Sequence, residues 1–325
     1  MLKSILVPLD GSTFAEQALP LALGLASRHG ATLELALVQP PPMPLVLAEG
    51  APVGDSALDE ELRQLTRDYL ESVATRIEER ADMCPRTSFL EGPVLETLVD
   101  HVSATSPDLL VMTTHARSGL SRAWLGSVAD GLVRRVARPV LLVRPIAKEH
   151  PVAEAPSFAR VLIPLDGSPA SEEVIEHAID TAGTDGVEYT LLRAVSSSPV
   201  FPATPRPHRD NAPTSRVQRV SVENTVGAKA DALRARGVNV KVRVPVFENP
   251  AEGILEYADE HGIDLIAMST RGRGGLERLF LGSVADTVLR EAPCPVLLLN
   301  PSRAGSEAGN MSLGKVPATS AESWT

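Results

Sequence analysis

The hexapeptide LGSVAD occurs at Leu125 to Asp130 and again at Leu281 to Asp286, 156 positions later. A Gly-Ser pair that opens a helix, Gly126-Ser127 or Gly282-Ser283, leaves the first backbone N–H groups without intrahelical partners. With the helix dipole these form a site for an anion such as phosphate. The serine hydroxyl can donate to an oxygen of that anion, although Ser at a helix start is also an ordinary N-cap. Positive charge lies close by in sequence, as Arg117 in one copy and as Arg271 and Arg273 in the other. Two further polar clusters recur. Pro8-Leu9-Asp10-Gly11-Ser12 matches Pro164-Leu165-Asp166-Gly167-Ser168, and Met112-Thr113-Thr114-His115-Ala116 matches Met268-Ser269-Thr270-Arg271-Gly272. Asp-Gly-Ser is also what a simple turn and cap would look like. His115 reads as a loop polar residue or as a phosphate contact.

These clusters share a constant offset. Asp10 and Asp166, Asp108 and Asp264, and Pro139 and Pro295 are each 156 apart, which indicates an internal duplication. Within each copy, short β-branched and Leu-rich runs alternate with helical periodicity, the pattern of βαβ units in a parallel sheet. The first copy predicts strands at Ile5 to Leu9, Thr32 to Val38, Thr87 to Leu90, Leu109 to Met112 and Val140 to Val143. One helix is expected over Thr13 to His29, one over Leu58 to Glu79, a shorter one after Pro93 and one opening at Ser127. The second copy predicts strands near Val161 to Leu165, Tyr189 to Val195, Val240 to Val246, Leu265 to Met268 and Val296 to Leu299. The expected fold is α/β, two tandem repeats of a Rossmann-like five-stranded parallel sheet flanked by helices. The domains are 1–145 and 159–301, joined by a linker at 146–158 and followed by a tail at 302–325 whose composition reads as disordered. The Pro-rich stretches Pro40 to Asp55 and Ser196 to Ser215 read as long loops. In such a sheet, ligands gather beyond the carboxyl ends of the strands, where all the repeated polar clusters fall.

Composition narrows the function. The 325 residues carry 31 Lys+Arg against 41 Asp+Glu, a formal charge of -10, which opposes the phosphate attraction behind most nucleic-acid binding. No nucleic-acid partner is expected. The longest uncharged stretch is Pro-rich and too short for a membrane span, and the N-terminus reads as a first strand, so the expected location is the cytoplasm. The two cysteines, Cys84 and Cys294, read as reduced, partly buried thiols. No Walker A motif, no GxSxG elbow and no HExxH zinc pattern is present.

Taken together, the strand-one Asp, the loop after strand four with nine residues between Gly272 and Gly282-Ser283, and the closing PVLLL strand resemble the universal stress protein family in tandem form. The resemblance implies an adenine nucleotide, ATP or a relative of it, with Mg2+ as an optional companion, lying across the strand ends. It implies that Pro8, Leu9 and Asp10 touch the adenosine end, that Val38 meets adenine through its backbone, and that Met112, Thr113, His115, Ala116, Gly126, Ser127 and Val128 complete the first site. In the second site the matching residues are Pro164, Leu165, Asp166, Val195, Met268, Ser269, Arg271, Gly272, Arg273, Gly282, Ser283 and Val284. The second loop keeps Gly272 where the first has Ala116, and has two arginines against His115 and Arg117, so the second site is expected to bind more tightly. The function implied is a nucleotide-binding stress-response or signalling protein with little turnover. The alternatives left open are a ligand-free interaction module and a slow nucleotide-hydrolysing enzyme. The two copies are expected to pack as a pseudo-two-fold pair through their last strands, with a homodimer as a further option.

Overall fold

A computed structural model describes residues 1–41, 45–46, 52–53, 56–114, 125–144, 158–196, 212–270 and 281–300. The first half runs β1 (Ser4–Leu9), α1 (Thr13–Glu16), α2 (Leu19–His29), β2 (Thr32–Gln39), β3 (Leu45–Val46), β4 (Pro52–Val53), α3 (Ser56–Ala81), β5 (Arg86–Glu91), α4 (Val94–Thr105), β6 (Leu109–Thr113), α5 (Ser127–Arg135) and β7 (Val140–Val143). The second half runs β8 (Arg160–Pro164), α6 (Pro169–Ala182), β9 (Glu188–Leu192), β10 (Val195–Ser196), α7 (Ala212–Ala235), β11 (Asn239–Arg243), β12 (Val246–Phe247), α8 (Pro250–Glu260), β13 (Leu265–Ser269), α9 (Ser283–Glu291) and β14 (Val296–Leu299). The linker and the tail fall almost wholly outside the described residues.

Each half contributes five parallel strands, ordered β5-β2-β1-β6-β7 and β11-β9-β8-β13-β14. The central strands are buried on both faces, which is why they read as unbroken apolar runs rather than as alternating ones. On one face, Ile5, Val7, Leu33 and Leu35 pack with Leu21 and Leu25 of α2 and with Val73 and Ile77 of α3. On the other, Leu6, Leu110 and Leu142 pack with Leu98 and Val102 of α4 and Leu132 and Val133 of α5.

The halves do not form two separate sheets. β14 pairs antiparallel with β7, with Val296 opposite Leu142, Leu297 opposite Leu141 and Leu298 opposite Val140, giving one ten-stranded sheet. The last strands therefore meet as their composition led us to expect, and each covers an edge that would otherwise be open. Two side chains at matching positions fasten the join. Asn300 Nδ2 donates to the Arg134 carbonyl at 2.7 Å, and the Arg144 guanidinium donates to the carbonyls of Arg290 and Ala292. Each half thus caps the C-terminus of the other half's last helix, where orphan carbonyls and the negative end of the dipole favour donors.

The paired anchors Asp108 and Asp264 turn out to be structural. The Asp108 carboxylate accepts from the Lys3 and Ser4 amides at 2.7 and 3.0 Å, and Asp264 accepts from those of Ala159 and Arg160 at 2.8 and 3.0 Å. They fix strand four to strand one at the amino end of the sheet, away from the carboxyl-end clusters.

Four details differ from the sequence expectation. The single helix over Thr13 to His29 is broken at Gln17–Ala18, because Pro20 has no N–H to give to Glu16. The Pro40 to Asp55 stretch holds a short antiparallel ladder, Leu45 with Val53 and Val46 with Pro52, and α7 begins at Ala212, inside the second stretch read as loop. The strands expected over Tyr189 to Val195 and Val240 to Val246 are each interrupted, resuming as the β10–β12 pair past Pro245. Of the cysteines, Cys294 is partly buried but Cys84 is exposed.

These contacts set measurable stabilities. Asp264→Ala strands two backbone amides that the carboxylate now satisfies and should cost about 2 kcal/mol, seen as a lower urea midpoint with an unchanged slope. Burial pushes the Cys294 thiol up to about 12, whereas the unfolded thiol titrates at its ordinary 9. The folded state therefore holds a proton that the unfolded state loses between those values, so stability falls as pH rises through that window. In a disulfide-exchange assay near pH ~8, Cys84 should label in the folded protein and Cys294 only on unfolding.

Candidate functional site

In each half the chain order reverses between strand one and strand four. β6 lies beside β1, with Ile5 opposite Leu109 and Leu6 opposite Leu110, and β13 lies beside β8, with Leu265 opposite Val161 and Ile266 opposite Leu162. Beyond the carboxyl ends of these strands, the connections leave toward opposite faces and a crevice opens.

One wall of the crevice is the Asp-Gly-Ser turn. Asp10 Oδ1 accepts from the Ser12 amide at 2.9 Å and from its hydroxyl at 2.5 Å, and Ser12 Oγ accepts from the Ala15 amide at 3.2 Å. The second half repeats this with Asp166 and Ser168 at 2.9 and 2.6 Å, and with Ser171 N on Ser168 Oγ at 3.2 Å. Gly11 and Gly167 sit at φ 80° and 76°, in the left-handed region that favours glycine. The turn-and-cap reading of this motif is therefore present in the structure, and it holds both aspartates at the crevice, half-buried.

The opposite wall is the start of the last helix. Thr114 N donates to Val143 O at 3.0 Å and Gly126 N returns to Thr114 O at 2.7 Å; in the second half Thr270 N donates to Leu299 O and Gly282 N to Thr270 O, both at 2.9 Å. These bonds pin the helix start to the end of strand four. Gly126 and Gly282 are the N-caps, neither making a side-chain cap, and the first intrahelical amides are those of Asp130 and Asp286. Ser127 and Ser283 are thus the first helical residues, not the N-caps, and both are exposed. That differs from the ordinary capping role open to them in the sequence. The amides of residues 127–129 and 283–285 precede the first intrahelical bond, the arrangement that favours an anion.

The floor is apolar: Pro8, Leu9, Val38 and Met112 are buried in the first half, and Pro164, Leu165 and Met268 in the second. Thr113 and Ser269 are buried polar residues at the ends of their strands. Val128 and Val284 are half-buried beside the serines. His115, Ala116, Arg271, Gly272 and Arg273 lie outside the described residues.

One equivalence is displaced. Pro8 pairs with Ala36 and Leu9 with Leu37, while Pro164 pairs with Leu192, so the constant offset runs through strand two and puts Ala194, not Val195, at the position of Val38. Val195 instead follows the interruption, its amide on Pro245 O at 3.0 Å. Sequence reasoning also passed over Tyr69, whose hydroxyl donates to Glu16 at 3.0 Å. Burial, Glu16 and Asp10 together push its pKa upward. Arg193, a guanidinium inside an apolar run, was likewise missed, although a charged residue in a two-sided buried strand is itself a signal. Among the described residues no three His, Cys, Asp or Glu cluster as metal ligands, and no helix is long and apolar enough to cross a membrane.

This architecture defines a doubly wound α/β protein with a crevice at each switch point. The profile of the Universal stress protein family matches it twice, over residues 1–144 and 157–300, and the chain belongs to that family. Universal stress proteins of Mycobacterium bovis and Mycobacterium tuberculosis are 33% identical over 196 residues, which span 60% of this chain and 62% of each relative. A universal stress protein of Mycolicibacterium smegmatis is 28% identical over 91% of this chain and 97% of its own length. Among solved structures, a universal stress protein from Archaeoglobus fulgidus superposes over 92% of this chain and 98% of its own, with a TM-score of 0.64 at 20% identity.

The double role of the turn serine gives a stability prediction. Ser168→Ala removes both the cap of α6 and a donor to Asp166, and should cost about 1 kcal/mol, measured by thermal unfolding; Ser12→Ala should act alike.

Proposed function

We propose that the protein is a stress-response or signalling protein of the cytoplasm that binds an adenine nucleotide, ATP or a relative, with Mg2+ as an optional companion, and turns it over slowly or not at all. In this reading 1–145 and 159–301 are two binding units joined by 146–158, with 302–325 as a tail. The observation that carries it is the helix start at Gly126-Ser127 and Gly282-Ser283. Its amides are uncapped, its serine hydroxyls are exposed, and it faces a buried-floor crevice at the switch point.

The glycines add support. Gly126 and Gly282 have φ of −55° and −59°, which any residue adopts, and a Cβ on Gly282 would meet Thr270 O at 3.4 Å, an ordinary contact. At Gly282 neither backbone strain nor crowding by the described residues calls for glycine. A glycine there suits close approach of a ligand to the backbone.

The described residues of the crevice offer donors for an anion, and its carboxylates, Asp10 and Asp166, are engaged by the serines of their own turns. Groups that bind ground state and transition state alike do not accelerate hydrolysis. The second reading, a ligand-free interaction module, is favoured by the Asp10–Ser12 and Asp166–Ser168 bonds, because the aspartates already serve the turn.

Mass spectrometry of small molecules released from the purified chain tests ligand and occupancy together, and an adenine nucleotide is expected. Ser283→Glu places a carboxylate at the anion position and should weaken ATP binding about tenfold or more, with phosphate release staying far below one per second. Unchanged binding, or rapid turnover abolished by that substitution, would overturn the reading.

A further inference from the structure

The two open helix starts belong to α5 and α9, each only nine residues long. A helix of that length does not hold its own position in water; its contacts with the rest of the fold do. The start of each is bonded to strand four of its own half, Gly126 N to Thr114 O and Gly282 N to Thr270 O. One face of each is buried, through Ala129, Leu132 and Val133 in α5 and through Ala285, Val288 and Leu289 in α9. The end of each is held by the other half.

That hold repeats in position but not in chemistry. Asn300 Nδ2 donates to the Arg134 carbonyl at 2.7 Å, and the Arg144 guanidinium donates to the Arg290 carbonyl. The two donors are 156 positions apart, and so are the two carbonyls. A buried neutral amide and an exposed cation thus reach the same backbone atom of equivalent helices. What the halves share here is the bond, not the residue. The seam is already joined by the β7–β14 ladder and its Val and Leu side chains, so what the two bonds add is the placement of the helices. In a helix of about two and a half turns, a freed last turn frays and lets the remainder tilt about its start.

We propose that Asn300 and Arg144 are positioning residues of the two anion sites, each acting on the crevice of the opposite half. Asn300, in the second half, fixes the last turn of α5 and through it the amides of residues 127–129. Arg144, in the first half, does the same for α9 and residues 283–285. Each crevice is therefore complete only in the joined chain. This rests on the nucleotide reading above for the identity of the ligand, but not for the placement of the helices. The opposite expectation is a local one, because Asn300 follows Leu299 and Arg144 follows Val143, whose carbonyls take the Thr270 and Thr114 amides of the near crevice.

The test is calorimetric titration of ATP into the full chain with one crevice weakened, by Ser283→Glu to read the first and by Ser127→Glu to read the second. N300L, close in volume and without a donor, should lower affinity about fivefold in the first crevice and change the second by no more than about twofold. R144L should do the reverse, and R144K, which keeps a donor, should restore the second crevice. Amide hydrogen exchange of the unliganded chain, read by NMR, makes the same comparison without a ligand. N300L should speed exchange of the Asp130 amide, the first intrahelical bond of α5, and leave that of Asp286 in α9 unchanged. Losses confined to the near crevice, equal losses in both, or no loss in either would overturn the proposal. If ATP binds neither crevice of the parent, the nucleotide reading falls and exchange alone decides the positioning: faster exchange at Asp130 but not at Asp286 in N300L upholds it, and no change or an equal change at both overturns it.

Discussion

The antiparallel pairing of β7 with β14 is the constraint on which the arrangement of this protein depends. Each half ends in a short, fully apolar strand, and four residues of Val and Leu left at an edge would expose both a hydrophobic face and a row of unpaired amides. Meeting across the pseudo-two-fold, the two strands remove both liabilities at once and merge two five-stranded units into one sheet. The core on the α2–α3 side then runs without interruption from Leu25 and Val111 to Val174 and Leu265, so the duplicated units share one hydrophobic interior. Cross-half capping by Asn300 and Arg144 follows from the same geometry, since the C-termini of α5 and α9 are brought to the ends of the partner's last strand.

Within each unit, function is arranged by a division of labour between two helix starts. At α1 and α6 the start is closed: Ser12 and Ser168 cap their helices and are themselves held by the preceding aspartate. At α5 and α9 the start is open, because the N-cap is a glycine with nothing to offer the amides. Both starts face one crevice, so it combines a carboxylate wall with an amide wall.

Much of this was legible in the sequence because the repeat supplied its own check. Strand cores such as LLVM and VLLV, the helix opening at Ser127 and the meeting of the last strands all follow from periodicity and from edge chemistry. Where the reading slipped, a local feature outweighed the pattern. Pro20 breaks a helix whose apolar spacing is continuous, and a matching valine drew the alignment to Val195 although the sheet register selects Ala194. The role of Asp108 and Asp264 was invisible because their partners, residues 3–4 and 159–160, are backbone amides roughly a hundred positions away and carry no side-chain signature. Arg193 was passed over because it interrupts a strand that otherwise reads as apolar; only packing shows that the guanidinium goes inward.

Because β7 and β14 run in opposite directions, the two crevices open on opposite margins of the sheet. They are nevertheless the two ends of a continuous bonded line. From the start of α5 the line follows the helix to the Arg134 carbonyl, crosses to Asn300, and returns along β14 through Leu299 and Thr270 to Gly282 at the second crevice. A matching line runs from α9 through Arg144, Val143 and Thr114 to Gly126. The position of each helix start is in this way referenced to the far margin as well as to its own strands.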